Sequence, residues 1–208
     1  MSRQRFLFFD LGNVLVNFDH DQMCRQLAEL GGVPFEVVKQ WLLGEGDVLR
    51  QIEVGELNQE DWYQQFLATT KSRASLQDFL HAASAMFSLN VEMIPVVTQL
   101  VAVRQPIGIL SNTCQPHWDY VSDSRYGMIP GLFDVVVLSH EVHSVKPDRA
   151  IYDTAAKMAG YDPGDILFVD DRPEHVAGAQ AAGFDAFPFT NARRFVADLR
   201  ARGFHFNL

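Results

Sequence analysis

Short, uninterrupted runs of apolar residues recur along the chain and predict buried β-strands. These runs lie at residues 5–9, 106–110, 134–138, 166–169 and 185–187. Segments with apolar positions at helical spacing separate most of them, at residues 92–104, 115–126, 148–160 and 173–182. Continuous apolar strands that alternate with helices are typical of a parallel sheet with helices on both faces. The pattern therefore predicts an α/β fold built on a doubly wound parallel sheet.

The stretch between the first two strands has a different pattern. Residues 17–91 show helical periodicity and no convincing strand, with candidate helices at 22–30, 35–43, 60–69 and 76–87. Asn58 and Pro34 are typical of helix starts, and Gly31-Gly32 and Gly44 of helix ends. Helices inserted after the first strand would lie over the carboxyl ends of the sheet, where open α/β sheets bind ligands. We therefore predict a core domain, residues 1–16 with 92–208, and an all-helical cap domain, residues 17–91.

The composition of the chain disfavours some classes of binding partner. The chain has 208 residues and a formal net charge of −9, which repels nucleic acid and anionic membranes, so neither is an expected partner. No apolar stretch is long enough to cross a bilayer, no signal-peptide pattern is present, and the two cysteines lack zinc-site spacing. These features predict a cytoplasmic protein and leave open whether it is a monomer or a homodimer. A phosphorylated small molecule would need local positive groups or a metal ion to bind.

Carboxylates stand where two of the predicted strands end. Asp10 follows the run at residues 5–9, and Asp170-Asp171 follow the run at residues 166–169. A carboxylate at the end of a buried strand is costly to desolvate, so its presence there points to chemistry. If the two strand ends meet, three carboxylates come together, and carboxylate oxygens are ligands that suit Mg²⁺.

Two further motifs supply groups that can bind phosphate. Ser111-Asn112-Thr113 follows the run at residues 106–110, where a hydroxyl and backbone amides can hold an anion. Lys146 precedes Pro147 and a predicted helix, and it supplies a point charge. Phosphoryl transfer needs a nucleophile, in-line positioning and charge neutralisation. Asp10 can attack as the nucleophile, while Lys146, Ser111 and Asn112 hold the phosphate.

The four motifs, in this order, resemble those of the haloacid dehalogenase (HAD) superfamily of hydrolases with a helical cap. The resemblance implies a HAD-like Rossmannoid core and a Mg²⁺-dependent phosphatase. The roles that it implies are Asp10 as nucleophile, Ser111 as phosphate-binding hydroxyl, Lys146 as charge stabiliser, and Asp170 as the principal metal ligand with Asp171 beside it. Residues 10–15, 17–19 and 54–57 further resemble the bacterial α-D-glucose-1-phosphate phosphatase group, which makes a sugar 1-phosphate the first expected substrate.

Gly12 departs from the pattern of that superfamily. Most of its phosphatases carry an aspartate two residues after the nucleophile, as general acid and base. The backbone carbonyl of Gly12 could still ligate magnesium, but a positioned acid or base typically contributes ~10²–10⁴ in rate. The enzyme would then use leaving groups that barely need protonation, such as those of sugar 1-phosphates or acyl phosphates. Alternatively, Asp19, His20 or Asn13 would substitute for the missing group, or the site would bind its ligand without rapid turnover.

Other polar residues near the motifs could have either a structural or a functional role. His175 stands where phosphatases of the superfamily often carry asparagine, and it could replace an orienting hydrogen bond or cap the helix. Arg50, Glu53 and Glu56 could face a substrate from the cap, but charged residues in such helices are usually solvated.

The sequence thus predicts a phosphoric monoester hydrolase that acts on a small phosphorylated metabolite through an aspartyl phosphate on Asp10. One alternative is a 2-haloacid dehalogenase, in which Asp10 attacks carbon without a metal. The adjacent carboxylates of Asp170 and Asp171 disfavour it, because they would repel a carboxylate substrate. The other alternative is a non-catalytic protein that binds phosphometabolites, for which Gly12 is the sole support.

Overall fold

The computed structural model describes residues 5–204. Within this range the strands, in chain order, are β1 (Phe6–Phe9), β2 (Val16–Asn17), β3 (Ser88–Leu89), β4 (Ile107–Ser111), β5 (Val135–Leu138), β6 (Ile166–Asp170) and β7 (Asp185–Pro188). The α-helices are α1 (His20–Gly31), α2 (Phe35–Leu43), α3 (Val48–Glu53), α4 (Gln59–Thr70), α5 (Leu76–Ser84), α6 (Ile94–Ala102), α7 (Gln115–Ser122), α8 (Ser139–Val142), α9 (Arg149–Ala159), α10 (Pro173–Ala181) and α11 (Ala192–Ala201).

The predicted parallel sheet is confirmed. Its strand order is β5-β4-β1-β6-β7, so β1 lies at the centre with β4 and β6 beside it. Leu7 of β1 stands opposite Ile107 on one side and Leu167 on the other. Because the strands are parallel, the carboxyl ends of β4, β1 and β6 meet at one edge of the sheet.

Both faces of the sheet are buried, which explains why its strands are continuously apolar. Along β1, Phe6 and Phe8 pack into one apolar cluster, while Leu7 and Phe9 pack into the cluster on the opposite face. Neighbouring side chains of a strand point to opposite faces, so an alternating pattern would have left one face polar. The apolar run at residues 5–9 therefore encodes a central strand.

The helices α1 to α5 form most of a third apolar cluster, to which Met86 and Cys114 also belong. Its largest fully buried side chains are Trp62, Phe66 and Phe79. The helix signals read from the sequence have the expected local geometry: the Asn58 side chain accepts from the backbone amides that begin α4, and Gly32 ends α1 in the left-handed conformation. The assignment of residues 17–91 to a separate cap domain stays a prediction.

Two short elements in this region were not expected. Asn17 and Ser88 pair in an antiparallel ribbon of β2 and β3, although no strand was expected within residues 17–91. The two chain connections to the helices run side by side here, and two residues are too few to show a strand pattern. The six-residue helix α3 was missed for the same reason, because it is shorter than two helical turns.

No helix among residues 5–204 combines the length and apolar character needed to cross a membrane.

Candidate active site

The carboxyl ends of the three central strands bring the predicted site residues together. Asp10 follows β1 directly, and Ser111 and Asp170 are the last residues of β4 and β6. Because β4 and β6 flank β1, these positions are neighbours at one edge of the sheet. All three residues are buried, with exposed fractions of 6% for Asp10, 2% for Ser111 and 0% for Asp170. The sheet thus places two carboxylates and a hydroxyl side by side.

Lys146 joins the two carboxylates. Its Nζ atom lies 2.8 Å from Oδ1 of Asp10 and 2.6 Å from Oδ2 of Asp170. It also donates a hydrogen bond to the carbonyl oxygen of Leu110 at 3.1 Å, and its side chain is fully buried. The two acids and the ammonium therefore form one buried ion cluster.

Asn112 holds the backbone of Lys146 in this position. The Asn112 Nδ2 atom donates to the Lys146 carbonyl oxygen at 3.0 Å, and Oδ1 accepts from the Lys146 amide at 2.7 Å. Both ends of the side-chain amide are therefore engaged. The Ser111 hydroxyl donates only a long hydrogen bond, 3.3 Å, to the Asn112 carbonyl oxygen. The phosphate contacts of Ser111 and Asn112 stay predictions.

The two carboxyl groups of the ion cluster compete for one ammonium. Burial and the neighbouring Asp170 carboxylate raise the pKa of Asp10 to about 8, against the opposing effect of Lys146. At Asp170, burial opposes ionisation, but the Lys146 ammonium and the His175 hydrogen bond outweigh it and hold the pKa of Asp170 below its usual range. One ammonium thus serves two buried carboxylates. A further cation at this point would lower the pKa of Asp10 and favour its carboxylate form.

His175 orients Asp170, although sequence reasoning gave it no definite role. Its Nδ1 atom lies 3.1 Å from both carboxylate oxygens of Asp170. The backbone amide of Arg172 also donates to Oδ1 of Asp170, at 2.8 Å. His175 is buried in the first turn of α10, and no side chain caps that helix. Of its two expected roles, the orienting hydrogen bond is the one that this geometry matches.

Asp10, Asp170 and His175 are the residues placed to hold a metal ion. One ligand atom from each lies within 4.8 Å of the other two. Carboxylate oxygens suit a hard cation such as Mg²⁺, whereas imidazole suits softer ions. The two carboxylates therefore fit Mg²⁺ as direct ligands, and His175 fits as the group that orients one of them.

Asp171 lies beside this group with a partner of its own. Its Oδ2 atom accepts a hydrogen bond from Nδ2 of Asn13 at 2.9 Å, and the residue is only partly buried. Metal ligation by Asp171 and by the backbone carbonyl of Gly12 stays a prediction.

A phenyl ring occupies the space beside Gly12. A Cβ atom built on Gly12 would lie 2.6 Å from Cε1 of Phe18, closer than two carbon atoms normally approach. The Phe18 ring also packs on the ring of His20, with centroids 4.8 Å apart. An acidic side chain at position 12 therefore has no room unless Phe18 moves.

Gly12→Ala is expected to destabilise the protein by about 1–3 kcal/mol, because the added methyl group displaces the Phe18 ring from its packed position. Denaturant unfolding measures the free energy of unfolding. In the Phe18→Ala background the same substitution should cost much less, so a double-mutant cycle should give a clear coupling energy. Strictly additive effects would contradict this contact.

Two cavities lie between the sheet edge and the helical cluster, and the larger one reaches Lys146 of the ion cluster. One, of about 330 Å³, has Lys146 on one wall and Arg50 and Glu53 on the other. A smaller one, of about 40 Å³, is lined by Gly12, Ser111 and again Glu53. Arg50 and Glu53 both belong to α3 and both line the larger cavity, so they face the site. The alternative that charged residues of such helices are solvated does not describe Glu53, which is partly buried.

Comparison with known proteins agrees with this fold. The family model for haloacid dehalogenase-like hydrolases matches residues 5–183. D-ribitol-5-phosphate phosphatase from Bacteroides thetaiotaomicron is 22% identical over 191 residues, which are 87% of this chain and 89% of that protein. Phosphoglycolate phosphatase 1 from Pseudomonas aeruginosa is 27% identical over 192 residues, which are 86% of this chain and 66% of that protein.

A solved structure shares the same fold. It is a HAD family enzyme from Bacteroides thetaiotaomicron in complex with magnesium and inorganic phosphate. It superposes with a TM-score of 0.79 at 21% sequence identity, over 89% of this chain and 94% of that chain. With the family model matched over most of its length, this chain belongs to the haloacid dehalogenase-like hydrolases.

Proposed function

We propose that the protein is a Mg²⁺-dependent phosphatase of a small phosphorylated metabolite. The observation that carries this proposal is the buried ion cluster, in which Lys146 contacts both Asp10 and Asp170 at the sheet edge. The phosphatase names of two relatives and the magnesium and phosphate bound to a structurally similar enzyme support it.

In the proposed reaction Asp10 is the nucleophile. One of its carboxylate oxygens attacks phosphorus while the bond to the leaving-group oxygen breaks, which gives an aspartyl phosphate. Water then attacks the same phosphorus, releases phosphate and regenerates the carboxylate. Lys146 neutralises charge on the phosphoryl oxygens, because its ammonium already lies 2.8 Å from Asp10. When bound at Asp10 and Asp170, Mg²⁺ supplies further charge neutralisation.

The cavity favours a small anionic substrate. Its volume of about 330 Å³ lies at the low end of small-molecule sites. Arg50 on its wall provides local positive charge in a chain whose net charge is −9, whereas Arg172 is paired with Glu174 on the same wall. Sugar 1-phosphates remain our first proposed substrates, because their anomeric oxygen is more acidic than an ordinary alcohol and leaves with less help. The named relatives add polyol phosphates and phosphoglycolate to the candidates.

The test is phosphate release from a panel of sugar 1-phosphates, primary-alcohol phosphates, phosphoglycolate and acyl phosphates. We expect release with Mg²⁺, none after chelation with EDTA, and recovery when Mg²⁺ is restored in excess. Halide release from 2-chloropropionate that is insensitive to chelation would instead identify a dehalogenase. A rise in melting temperature with phosphate esters, without any turnover, would identify a binding protein. The Phe18 ring supports this alternative, because it fills the space beside Gly12 where an acidic side chain would stand.

A further inference from the structure

The buried ion cluster lacks a proton donor for the leaving group. When an alcohol leaves a phosphate ester its oxygen needs a proton, and a positioned acid typically contributes ~10²–10⁴ in rate. Asp10, Asp170 and Lys146 are bound to one another, and the Phe18 ring fills the space beside Gly12. A proton donor must therefore come from the side of the site that the helical cluster forms.

Glu53 is the acidic residue that lines both cavities. It shares the smaller cavity with Gly12 and Ser111 and the larger one with Lys146. Glu53 is the last residue of α3 and is partly buried. Within residues 5–204 the structure shows no hydrogen bond or ion pair to its carboxylate. The carboxylate is therefore available to a ligand that spans the two cavities.

The backbone of Glu53 is held against α8 and, through Ser139, against the loop that follows β4. Its carbonyl oxygen accepts a hydrogen bond of 2.5 Å from the buried Ser139 hydroxyl, and the same hydroxyl accepts from the Thr113 amide at 2.9 Å. Two residues later, a Cβ atom built on Gly55 would lie 2.6 Å from the carbonyl oxygen of His140. Only glycine permits this close approach, so Glu53 is fixed in position relative to the strand end that carries Ser111.

The charges around Glu53 leave it able to exchange a proton near neutral pH. Burial raises the pKa of Glu53 to about 7, with Asp47 adding to the effect and Arg172, Lys146 and Arg50 opposing it. An acid whose pKa lies near the working pH can donate a proton in one step and accept one in the next.

The other residues considered as substitutes are less suitably placed. Asp19 is exposed, accepts from the Asp21 amide at 2.8 Å and pairs with Arg25 at 3.1 Å. The amide of Asn13 is engaged with Asp171. His20 lines only the smaller cavity, where burial lowers its pKa and favours the neutral ring.

We propose that Glu53 is a catalytic residue that protonates the leaving-group oxygen and then deprotonates the attacking water. This role rests on the proposed phosphatase function. In the first step the Glu53 proton passes to the departing oxygen as its bond to phosphorus breaks, which yields an alcohol and the Glu53 carboxylate. In the second step that carboxylate takes a proton from water as the new oxygen–phosphorus bond forms and the bond to Asp10 breaks. With this donor present, phosphate esters of ordinary alcohols also become substrates.

The experiment compares kcat/KM for ring-substituted phenyl phosphates, from phenyl to 4-nitrophenyl, in the parent protein and Glu53→Gln with Mg²⁺ present. The nitrophenolate leaves without a proton, whereas the poorer leaving groups need one. We expect Glu53→Gln to lose roughly 10²-fold on the poorest leaving group and about threefold or less on 4-nitrophenyl phosphate. Glu56→Gln, an exposed neighbour in the same segment, is the matched control and should behave as the parent protein does.

The leaving-group series separates the possible failures. An equal loss on every substrate, or no loss, would overturn the role of Glu53, since a merely structural defect does not depend on the leaving group. A selective loss in His20→Gln in place of Glu53→Gln would assign the role to His20. If the parent protein is inactive on this series and on the metabolite panel, or if Asp10→Asn is fully active, the phosphatase proposal itself fails.

Discussion

Asp10→Asn is expected to abolish phosphate release while leaving the fold at least as stable as that of the parent protein. An amide oxygen does not attack phosphorus, so the rate should fall on the order of 10⁴-fold or more. The substitution also ends the competition of two carboxyl groups for one ammonium, because Lys146 then pairs with Asp170 alone. Release assays and thermal unfolding measure the two effects separately.

The control for this variant is Asp153→Asn, which neutralises an exposed carboxylate on α9 whose side chain is 54% accessible. We expect it to retain full activity and an unchanged melting temperature. Full activity in Asp10→Asn would exclude Asp10 as the nucleophile. A large fall in its melting temperature would contradict the inferred competition of the two carboxyl groups for Lys146.

Lys146→Met should have the largest effect on stability. The substitution keeps the apolar stem but removes the ammonium that lies between two buried carboxylates, 2.8 Å from one and 2.6 Å from the other. Breaking a buried ion pair in this way typically costs about 3–5 kcal/mol, because an uncompensated charge is left behind. Activity should be lost as well, since the phosphoryl oxygens lose their fixed cation.

Magnesium provides the decisive comparison for this variant. Denaturant unfolding with and without Mg²⁺ should show a larger stabilisation by the ion in Lys146→Met than in the parent protein, since the ion can take the place of the missing charge. Lys157→Met, on the exposed face of α9, should change stability by less than about 0.5 kcal/mol. Equal stabilities of the two variants would show that Lys146 does not compensate the carboxylates.

The sheet and its catalytic edge could be predicted because they depend on local patterns. A strand buried on both faces is a continuous apolar run, and a residue that ends such a run lies at the crevice. Asp10 and Asp170 come together because β1 and β6 are neighbours. The alternation of strands and helices predicts a parallel sheet but does not fix this strand order. The position of Lys146 between the acids could not be predicted from a strand pattern, because it depends on hydrogen bonds to Asn112 across the sheet edge.

The residues on the other wall of the site could not be predicted in the same way. Glu53 belongs to a helix of six residues, too short to show periodicity, and its burial arises from contacts with α8 and the loop after β4. The contact of Phe18 with Gly12 is a packing detail that depends on where the chain turns into α1. Both features are products of tertiary structure, and no local pattern signals them.

The central place of β1 in the sheet also has a consequence for how the chain folds during synthesis. Leu7 pairs with residue 107 on one side and residue 167 on the other, so both partners are made long after the first strand. An apolar strand with both edges unpaired is prone to aggregate, and contacts between distant residues slow folding. The helical cluster is made in the interval and is built mostly from contacts within its own segment. We expect it to fold first, whereas β1, which precedes Asp10, can pair only after β4 and β6 have been made.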